Sequence, residues 1–312
     1  PLRVGGDFIR KQNLERGGVA SHACMPGCAI QCSNVYVDKA GQEIVSPLEY
    51  ETLGLLGTNC GLSDPDDVAQ LNAVANDLGV DTIELGGTLG VAMEAGLASF
   101  GDLTFLNAAL EDLRLGTERG RILAQGTARV GEHFGVRRVP VIKKQAISAY
   151  DPRVIEVTGI SMAVTAQGAD HTVGNVPTYN CEGKTLEELV EVSVGAQVNC
   201  AIVDSVGLCV FGRSVNEPNL PLIAEAINSA HNTEFSADDL RKLGQLTLLL
   251  ERQFNREAGL KEADDALPAF FHQEALPPMN KLARHDDARM SRRYNEMLDA
   301  FVVGGEAQGV LQ

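Results

Sequence analysis

The stretch LSDPDDVAQLNAVANDLG, residues 62–79, carries a complete set of helix signals. Ser63 or Asp64 can act as the N-cap, Pro65 suits the first turn, and Gly79 can adopt the left-handed conformation that ends a helix. Its apolar residues recur at helical spacing and form one stripe, which comprises Val68, Leu71, Val74, Ala75 and Leu78. The stretch therefore predicts an amphipathic helix that packs on a core.

Helix signals continue on both sides of this stretch. Residues 81–96 predict the next helix, with Asp81 as a possible N-cap, and residues 236–259 predict a long capped helix. Strand-like alternation is confined to residues 33–38 and 137–144. Further helices are predicted at 102–115, 118–134, 185–206 and 219–232. The chain is therefore predicted to be mainly α and multihelical.

The composition is that of a globular protein long enough for two domains. The chain has 312 residues, of which 44% are hydrophobic and 22% are charged. Its formal net charge of -16 argues against nucleic acid as a partner, because a basic surface is needed to replace phosphate counterions. No apolar run is long enough to span a bilayer, so we expect no membrane partner and a cytoplasmic location.

A domain boundary is predicted within residues 139–153, which have proline near both ends and little helical periodicity. The first domain is assigned to residues 1–145 and the second to residues 146–312. The chain starts at Pro1 without a signal-like segment, so we expect it to begin inside a longer protein.

Three of the seven cysteines, Cys24, Cys28 and Cys32, lie close together in the sequence. Their spacing would place them on one helix face, but Pro26 and Gly27 favour a loop. A reducing compartment would not maintain a disulfide, and zinc usually needs a second cysteine pair or histidines, so this loop favours an iron–sulfur cluster. Buried, inert thiols remain the alternative. The scattered cysteines predicted to be core thiols are Cys60, Cys181 and Cys200.

A short motif occurs twice. Residues 76–81 and 204–209 share the form Asx-x-x-Gly-apolar-(Asp or Cys). Each places a polar residue in the last turn of a predicted helix, then a glycine, then a side chain able to bind a ligand. Asp204 would face the negative end of its helix dipole, which a buried hydrogen-bond partner would offset. The glycines of LGGTLG, residues 85–90, suit either close helix packing or contact with phosphate.

Six motifs occur in one order between about residues 20 and 215, namely ACMPGC, PLEYETLGLLGTNCG, LGVDTIELGGT, AYDPR, QGADH and DSVGLC. Together they resemble the aldehyde:ferredoxin oxidoreductase family of tungsten- or molybdenum-dependent enzymes. The resemblance implies two helical domains like domains 2 and 3 of that family. The family's β-rich N-terminal pterin domain has no counterpart in this sequence and is therefore expected as a partner.

The resemblance implies metal ligands for a [4Fe-4S] cluster. The family's Cys-x2-Cys-x3-Cys trio falls on Ser21, Cys24 and Cys28, and its distant ligand falls on Cys209. Cys32 is then additional. Either Cys32 replaces the thiolate that Ser21 lacks, or the cluster has three thiolates and is labile; we favour Cys32.

The resemblance also implies contacts to a tungsten or molybdenum bis-pterin centre. The residues implied as pterin-binding are the matching positions of the repeated motif, Asn76, Gly79, Asp81, Asp204, Gly207 and Leu208. Glu51 and His171 are implied as catalytic, as the base that activates water and the donor that stabilises an oxyanion. From the residues alone, Glu51 also suits a helix-dipole partner, and His171 suits a structural histidine that Asp170 orients.

The implied reaction oxidises an aldehyde to a carboxylic acid, or the reverse, with electrons passing through pterin and cluster to ferredoxin. A second hypothesis is a non-catalytic, cluster-bearing scaffold module of a larger redox complex. Gln70 and Ala73 stand where some family members hold iron between subunits with Glu and His, so a homodimer would lack that iron. The chain alone is expected to bind little or no pterin.

Overall fold

The computed structural model describes residues 3–303. The chain forms two compact units, Pro1–Ala149 and Tyr150–Gln312. Both are built mostly from helices, which confirms the predicted fold class. The assignment of domains to residues 1–145 and 146–312 stays a prediction. Over the described range, no helix combines the length and the apolar character that crossing a membrane requires.

The first unit begins with a helix and a three-stranded antiparallel sheet in the order β1-β2-β3. Strand β2 confirms the predicted strand at 33–38, whereas α1, β1 and β3 were not predicted. The predicted strand at 137–144 is the short hairpin β4–β5. The elements are α1 (Gly6–Glu15), β1 (Val19–His22), β2 (Ser33–Val37), β3 (Glu43–Val45), α2 (Tyr50–Thr52), a π-helical turn (Leu53–Gly57), a 3-10 turn (Thr58–Cys60), α3 (Pro65–Leu78), α4 (Thr82–Glu94), α5 (Leu103–Leu115), α6 (Glu118–Leu123), α7 (Thr127–Phe134), β4 (Val141–Ile142) and β5 (Gln145–Ala146).

The helix pair α3–α4 forms as its sequence predicts. Asp64 caps α3, since its Oδ1 atom accepts a hydrogen bond from Asp66 N at 3.0 Å. Gly79 ends the helix with a φ of +68°. Asp81 then caps α4, since its Oδ2 atom accepts from Glu84 N at 2.7 Å. Asp64 therefore fixes the start of α3, and Gly79 and Asp81 together fix the corner between the two helices.

Glycines let α4 lie against the π-helical turn and the residues after it. A Cβ atom at Gly86 would lie 2.4 Å from the carbonyl carbon of Leu55. One at Gly90 would lie 2.5 Å from Nδ2 of Asn59, which itself donates to the Gly86 carbonyl at 3.0 Å. The glycines of residues 85–90 therefore serve close helix packing.

The predicted helix at 118–134 is wrong as a single element. It is two helices, α6 and α7, because Gly126 lies between them with a φ of +85°. The Oε1 atom of Glu84 accepts a hydrogen bond from Thr127 N at 2.7 Å, at the start of α7. A side chain from α4 thus caps a helix start that the local sequence does not mark.

The second unit is organised around α9, which packs on α8, α12 and α14. The helices predicted at 185–206, 219–232 and 236–259 are confirmed as α9, α11 and α12, whereas α8 and α14 were not predicted. The elements are α8 (Glu156–Val164), α9 (Leu186–Ser205), a 3-10 turn (Val210–Gly212), α10 (Arg213–Asn216), a second 3-10 turn (Glu217–Asn219), α11 (Leu220–His231), α12 (Ala237–Glu257), a third 3-10 turn (Glu262–Asp264), α13 (Phe270–Gln273) and α14 (Asp287–Val303).

A buried chain of polar side chains joins three of these helices. The hydroxyl oxygens of Ser161 and Ser193 lie 2.7 Å apart. Gln197 Nε2 donates to Ser193 Oγ at 3.0 Å, and the Tyr294 hydroxyl donates to Gln197 Oε1 at 3.1 Å. Because buried polar groups must be paired, these hydrogen bonds specify how α8, α9 and α14 align with one another.

Candidate functional site

The cysteine loop, residues 23–32, connects β1 to β2. It forms no helix, and Gly27 and Gln31 have positive φ values of +78° and +48°. Cys24 and Cys32 are exposed and Cys28 is half-buried. None of the seven cysteines is in a disulfide. The loop therefore presents three thiols on a hairpin whose two ends are fixed by strand pairing.

Strand register bears on the choice between Ser21 and Cys32. His22 of β1 pairs with Ser33 of β2. Ser21 precedes His22 inside β1, and Cys32 precedes Ser33 at the mouth of the loop. The two candidates therefore lie on either side of one residue pair, within a short distance of each other along the ladder.

Large apolar side chains are exposed in the cysteine loop. Met25 is 60% exposed and Ile30 is 45% exposed. Apolar residues also surround Cys209 in the second unit, where Phe211 is 66% exposed and Val215 is 64% exposed. Each segment that carries a predicted cluster ligand thus offers apolar surface beside its thiols.

The two copies of the repeated motif have the same backbone geometry. At the end of α3, Gly79 N donates to the Asn76 carbonyl at 3.1 Å, and Gly79 has a φ of +68°. At the end of α9, Gly207 N donates to the Asp204 carbonyl at 3.1 Å, and Gly207 has a φ of +71°. Asn76 and Asp204 are both exposed.

Each of these helix ends is completed by a second hydrogen bond from the apolar residue after the glycine. Val80 N donates to the Ala75 carbonyl at 3.1 Å, and Leu208 N donates to the Val203 carbonyl at 2.9 Å. Both ends are therefore Schellman motifs, in which two backbone bonds close the last turn.

The last positions of the two motifs differ. The Asp81 carboxylate is occupied in capping α4. Cys209 is exposed and directly precedes the 3-10 turn Val210–Gly212, and its carbonyl accepts from Gly212 N at 2.9 Å. The thiol of Cys209 is thus presented at a turn, as a ligand would need, whereas Asp81 has a structural task that the sequence also indicates.

Asp204 has a neighbour that sequence reasoning missed. The Oδ2 atom of Asp204 lies 3.8 Å from Sγ of Cys200, one helical turn earlier. Burial, followed by the charges of Asp204 and Asp170, raises the pKa of Cys200 to about 12. Cys200 is buried, as are Cys60 and Cys181, which confirms their prediction as core thiols. The spacing of four residues between positions 200 and 204 is the signal that marks this pair.

Glu251 is a third carboxylate near Cys200, besides Asp204 and Asp170. Partial burial and the charges of Asp170 and Asp204 raise the pKa of Glu251 on α12. The buried hydrogen-bond partner expected for Asp204 is Cys200, whose thiol donates to Asp204 Oδ2 at 3.8 Å, although Asp204 itself is exposed.

Glu51 lies in α2 and is tied to the end of the first unit. Its Oε2 atom accepts a hydrogen bond from Ala149 N at 2.8 Å. The neighbouring Tyr50 donates its hydroxyl to the Ala149 carbonyl at 2.9 Å. The carboxylate is thus held by a backbone amide from far along the chain.

His171 lies in the second unit with its ring centroid 5.4 Å from that of Tyr150. The preceding Asp170 is 9% exposed, and its Oδ1 atom accepts from both the backbone N and the hydroxyl of Thr172, each at 2.7 Å. These bonds form a tight turn that holds the backbone on both sides of His171.

The predicted site residues are thus distributed over both units. Ser21, Cys24, Cys28, Cys32, Glu51, Asn76, Gly79 and Asp81 belong to the first, and His171, Asp204, Gly207, Leu208 and Cys209 belong to the second. Within residues 3–303, no group of three or more histidine, cysteine, aspartate or glutamate side chains is positioned to hold a metal ion. The convergence of Cys209 with the loop thiols stays a prediction.

Comparison with known proteins gives a match over nearly the whole chain. A family model described as aldehyde ferredoxin oxidoreductase, domains 2 and 3, matches residues 5–302. The tungsten-containing aldehyde ferredoxin oxidoreductase of Pyrococcus horikoshii is 32% identical over 284 residues, which is 80% of this chain and 45% of that protein. The aliphatic sulfonate oxidoreductase, WOR-like subunit, of Pyrococcus furiosus is 28% identical, covering 87% of this chain and 46% of that protein.

A solved structure is also similar. It is the active site complex BamBC of benzoyl coenzyme A reductase in complex with 1,5-dienoyl-CoA, with a TM-score of 0.68 and 13% identity. The match covers 92% of this chain and 51% of that chain. At this identity the similarity concerns the fold alone. This chain spans less than half the length of the curated relatives that it matches.

Proposed function

The chain belongs to the aldehyde ferredoxin oxidoreductase family, in the part that forms domains 2 and 3, and from this we propose that it supplies the cluster ligands and part of the pterin site of an oxidoreductase. Its relatives include tungsten-containing enzymes. The observation that carries the proposal is the pair of matching helix ends at Gly79 and Gly207, each with an exposed polar residue and a potential ligand beside it.

The donor set fits an iron–sulfur cluster. Thiolates are the ligands that such clusters take, and the four candidates Cys24, Cys28, Cys32 and Cys209 are accessible thiols outside the core. Cys32 is the ligand that we propose in place of Ser21, because the register puts both at the base of the same loop. The exposed apolar residues beside the thiols would limit water around a bound cluster once another domain covers them.

The helix ends fit a ring system rich in hydrogen-bonding groups. The Asn76 amide can both donate and accept, whereas the Asp204 carboxylate only accepts, so the two ends would bind complementary edges of two pterins. Gly79 and Gly207 carry no side chain that would hinder a planar ring, and Val80 or Leu208 would offer it apolar contact. We propose tungsten or molybdenum bound through these pterins as the cofactor.

The bound metal would supply two-electron redox chemistry between an aldehyde and a carboxylic acid. Within this chain, Glu51 would take a proton from the attacking water and His171 would donate to the developing negative oxygen. A cluster held by the loop thiols and Cys209 would supply the electron-transfer route to ferredoxin or a similar acceptor. The β-rich N-terminal domain that the resemblance implies would complete the site.

One observation favours the second candidate, a non-catalytic scaffold module. The Oε2 atom of Glu51 already accepts a hydrogen bond from Ala149 N, so this carboxylate has a structural role within the first unit. In that case the protein would bind a cluster and a partner subunit without turning over an aldehyde.

Metal analysis of the complete protein, purified without oxygen, tests the ligand assignment. We expect about four iron atoms per chain, together with tungsten or molybdenum. Cys28→Ser and Cys209→Ser should each lower the iron content, whereas Cys181→Ser, at a core thiol, should leave it unchanged. Equal iron in the Cys209 and Cys181 variants would contradict the assignment of Cys209.

Activity then separates the enzyme from the scaffold. Glu51→Gln and His171→Asn should keep wild-type metal content and lose aldehyde-dependent reduction of a one-electron acceptor. Gln125→Glu, an exposed change on the first unit, serves as the control. A protein that carries iron but neither tungsten nor molybdenum and oxidises no aldehyde would support the scaffold instead.

A further inference from the structure

The backbone carbonyl of Cys209 accepts two hydrogen bonds. One comes from Gly212 N at 2.9 Å and closes the 3-10 turn, and the other comes from Nδ2 of Asn216 at 3.4 Å. Asn216 is the last residue of α10 and lies seven residues after Cys209. Its side-chain amide therefore reaches back over the turn to the peptide group that follows Cys209.

Gly212 leaves room for this amide. A Cβ atom at Gly212 would lie 3.0 Å from Nδ2 of Asn216 and 3.5 Å from its Cγ and Oδ1 atoms. Asn216 is half-buried, although Cys209 and Val215 are exposed. The amide thus lies against the turn and does not extend into solvent.

The first residue of α10 anchors this helix to the segment that follows His171. Nη1 of Arg213 donates to the Asn175 carbonyl at 2.5 Å. The Asn175 Oδ1 atom accepts from the hydroxyl of Thr158 at 3.0 Å, and Thr158 is fully buried in α8. The two ends of α10 therefore connect Cys209 with the buried interior of the second unit.

Side-chain packing does not fix the position of the Cys209 thiol. Cys209 is exposed, and the neighbouring side chains of Phe211 and Val215 are 66% and 64% exposed. The Schellman motif at the end of α9 fixes the backbone only as far as Leu208. Beyond that residue, the hydrogen bonds to the Cys209 carbonyl orient its backbone.

From these contacts we propose that Asn216 is the positioning residue for Cys209, which rests on the proposed function of Cys209 as a cluster ligand. The bond from Nδ2 fixes the plane of the peptide group after Cys209. Because the direction of the Cα–Cβ bond follows from the backbone, this bond also directs the Sγ atom. A ligand oriented before binding loses less conformational freedom when it binds its cluster.

The 3-10 turn by itself is a weak support for a ligand. It is only three residues long, Val210–Gly212, and the hydrogen bonds of 3-10 turns have poorer geometry than those of α-helices. Without the Asn216 amide, the Cys209 carbonyl would keep only the bond from Gly212 N. The peptide group could then rotate, and the thiolate would leave a bound cluster more readily.

Asn219 offers a matched control on the next turn. Its Nδ2 atom donates to the Val215 carbonyl at 2.6 Å, so it also joins an asparagine amide to a backbone carbonyl. Asn219 is exposed. A change at Asn219 therefore removes the same kind of bond from the same region without altering the contacts of Cys209.

The rate of iron loss to an excess of bathophenanthroline measures how firmly the cluster is held in the complete protein, purified without oxygen. Asn216→Ala should lose iron about tenfold faster than the wild type, as is typical when a residue that orients a metal ligand is removed. Asn216→Asp has nearly the same shape but no N–H group, so it should lose iron as fast as Asn216→Ala. Asn219→Ala should match the wild type.

The EPR spectrum of the reduced cluster distinguishes positioning from a general effect on the fold. Asn216→Ala should change the g values, because a coordinating sulfur moves, while circular dichroism shows the helix content of the wild type. Wild-type g values and iron loss in Asn216→Ala would overturn the proposal. Wild-type iron loss in Asn216→Asp would also overturn it, as would equally fast loss in Asn219→Ala and Asn216→Ala.

Cys209→Ser, measured beside these variants, shows which of the two assignments fails. If it loses iron much faster than the wild type while Asn216→Ala does not, Cys209 is a ligand and only the role of Asn216 is refuted. If Cys209→Ser retains iron as the wild type does, or if the wild type holds no iron, the proposed function and the role of Asn216 are both refuted.

Discussion

The hydroxyl of Tyr36 donates a hydrogen bond to Oδ1 of Asp66 at 2.6 Å. This bond joins the central strand β2 to the first turn of α3. The same carboxylate accepts from Arg16 through Nη1 at 2.6 Å and Nη2 at 3.0 Å. Burial and the Asp66 carboxylate raise the pKa of Tyr36 well above its usual range, so the phenol remains a donor at any physiological pH. The cysteine hairpin is thereby anchored to α3, whose last turn contains Asn76.

We expect Asp66→Asn to destabilise the chain by about 2 kcal/mol, because Arg16 would lose its partner. Burial opposes ionisation of Asp66, but the bonds from Arg16 and Tyr36 outweigh it and lower the pKa. A lowered value stabilises the fold above the ordinary Asp pKa of 3.8, and this contribution is lost as pH falls further. Urea unfolding at pH 7 and below pH 4 measures the difference, which should shrink in acid.

The matched control for this network is the exposed pair Lys11–Glu15, whose charged atoms lie 3.9 Å apart. Lys11→Ala should change the free energy of unfolding by about 0.5 kcal/mol or less. An Asp66→Asn effect as small as that of the control, or one that persists in acid, would contradict the assigned role.

Cys200 should react slowly with alkylating agents. At pH 8 its raised pKa of about 12 leaves almost no thiolate, whereas Cys24 and Cys32 are exposed. Asp204→Asn removes one of the charges that raise the value, so we expect Cys200 labelling by iodoacetamide to accelerate by about threefold. Peptide mass spectrometry over time measures each site.

Asp238→Asn is the control for the labelling experiment, since Asp238 is exposed and does not contribute to the Cys200 pKa. Its labelling rate at Cys200 should match the wild type. If both variants accelerate labelling equally, the effect is one of net charge and not of the contact between Asp204 and Cys200.

Two helical glycines should respond to alanine in opposite ways. Gly86→Ala would force a methyl group against the Leu55 backbone at 2.4 Å and should cost about 3 kcal/mol. Gly195 in α9 has no atom within 4 Å of an added Cβ, so Gly195→Ala should stabilise by about 0.5–1 kcal/mol. Thermal unfolding of both variants checks the contrast, and similar melting temperatures would show that α4 can shift.

Iron content can test whether Cys32 supplies a cluster ligand in place of Ser21. If Cys32 supplies the fourth thiolate, Cys32→Ser should lower the iron content of the anaerobically purified protein, and Ser21→Cys in that background should restore it. Restoration is expected because the two positions lie on either side of the pair His22–Ser33. Ser21→Ala is the control and should leave iron unchanged. A wild-type iron content in Cys32→Ser would mean that Cys32 is not a ligand.

Much of the fold could be predicted from local sequence signals. The caps at Asp64, Asp81 and Ser236 and the left-handed stops at Gly79 and Gly259 appear where they were predicted. Helix α1 was missed because Gly5 at its N-cap supplies no side-chain hydrogen bond. Helix α8 was missed because residues 157–164 are all buried, so no polar face produces a helical period.

Only the local features of the candidate site could be predicted from the sequence. The two Schellman ends follow from short motifs, since the glycine and the residues beside it determine the geometry. The bond from Ala149 to Glu51 and the cap of α7 by Glu84 depend on residues far apart in the chain, which no local pattern encodes. Cys200 was placed in the core correctly, but its contact with Asp204 was overlooked because buried thiols usually pack without a polar partner.

The glycine face of α4 has a consequence for how this protein can evolve. Gly86 leaves no room for any side chain, because an added Cβ would meet the Leu55 backbone, whereas at Gly90 it would meet only the end of the Asn59 side chain. A saturation scan should therefore find almost no tolerated substitution at position 86 and some at position 90. The corner at residues 76–81 leads directly into this helix at Thr82, so its position is tied to that of α4. Divergence in substrate preference among sequences of this kind would then accumulate in exposed loops, while the proposed cofactor site remains the same.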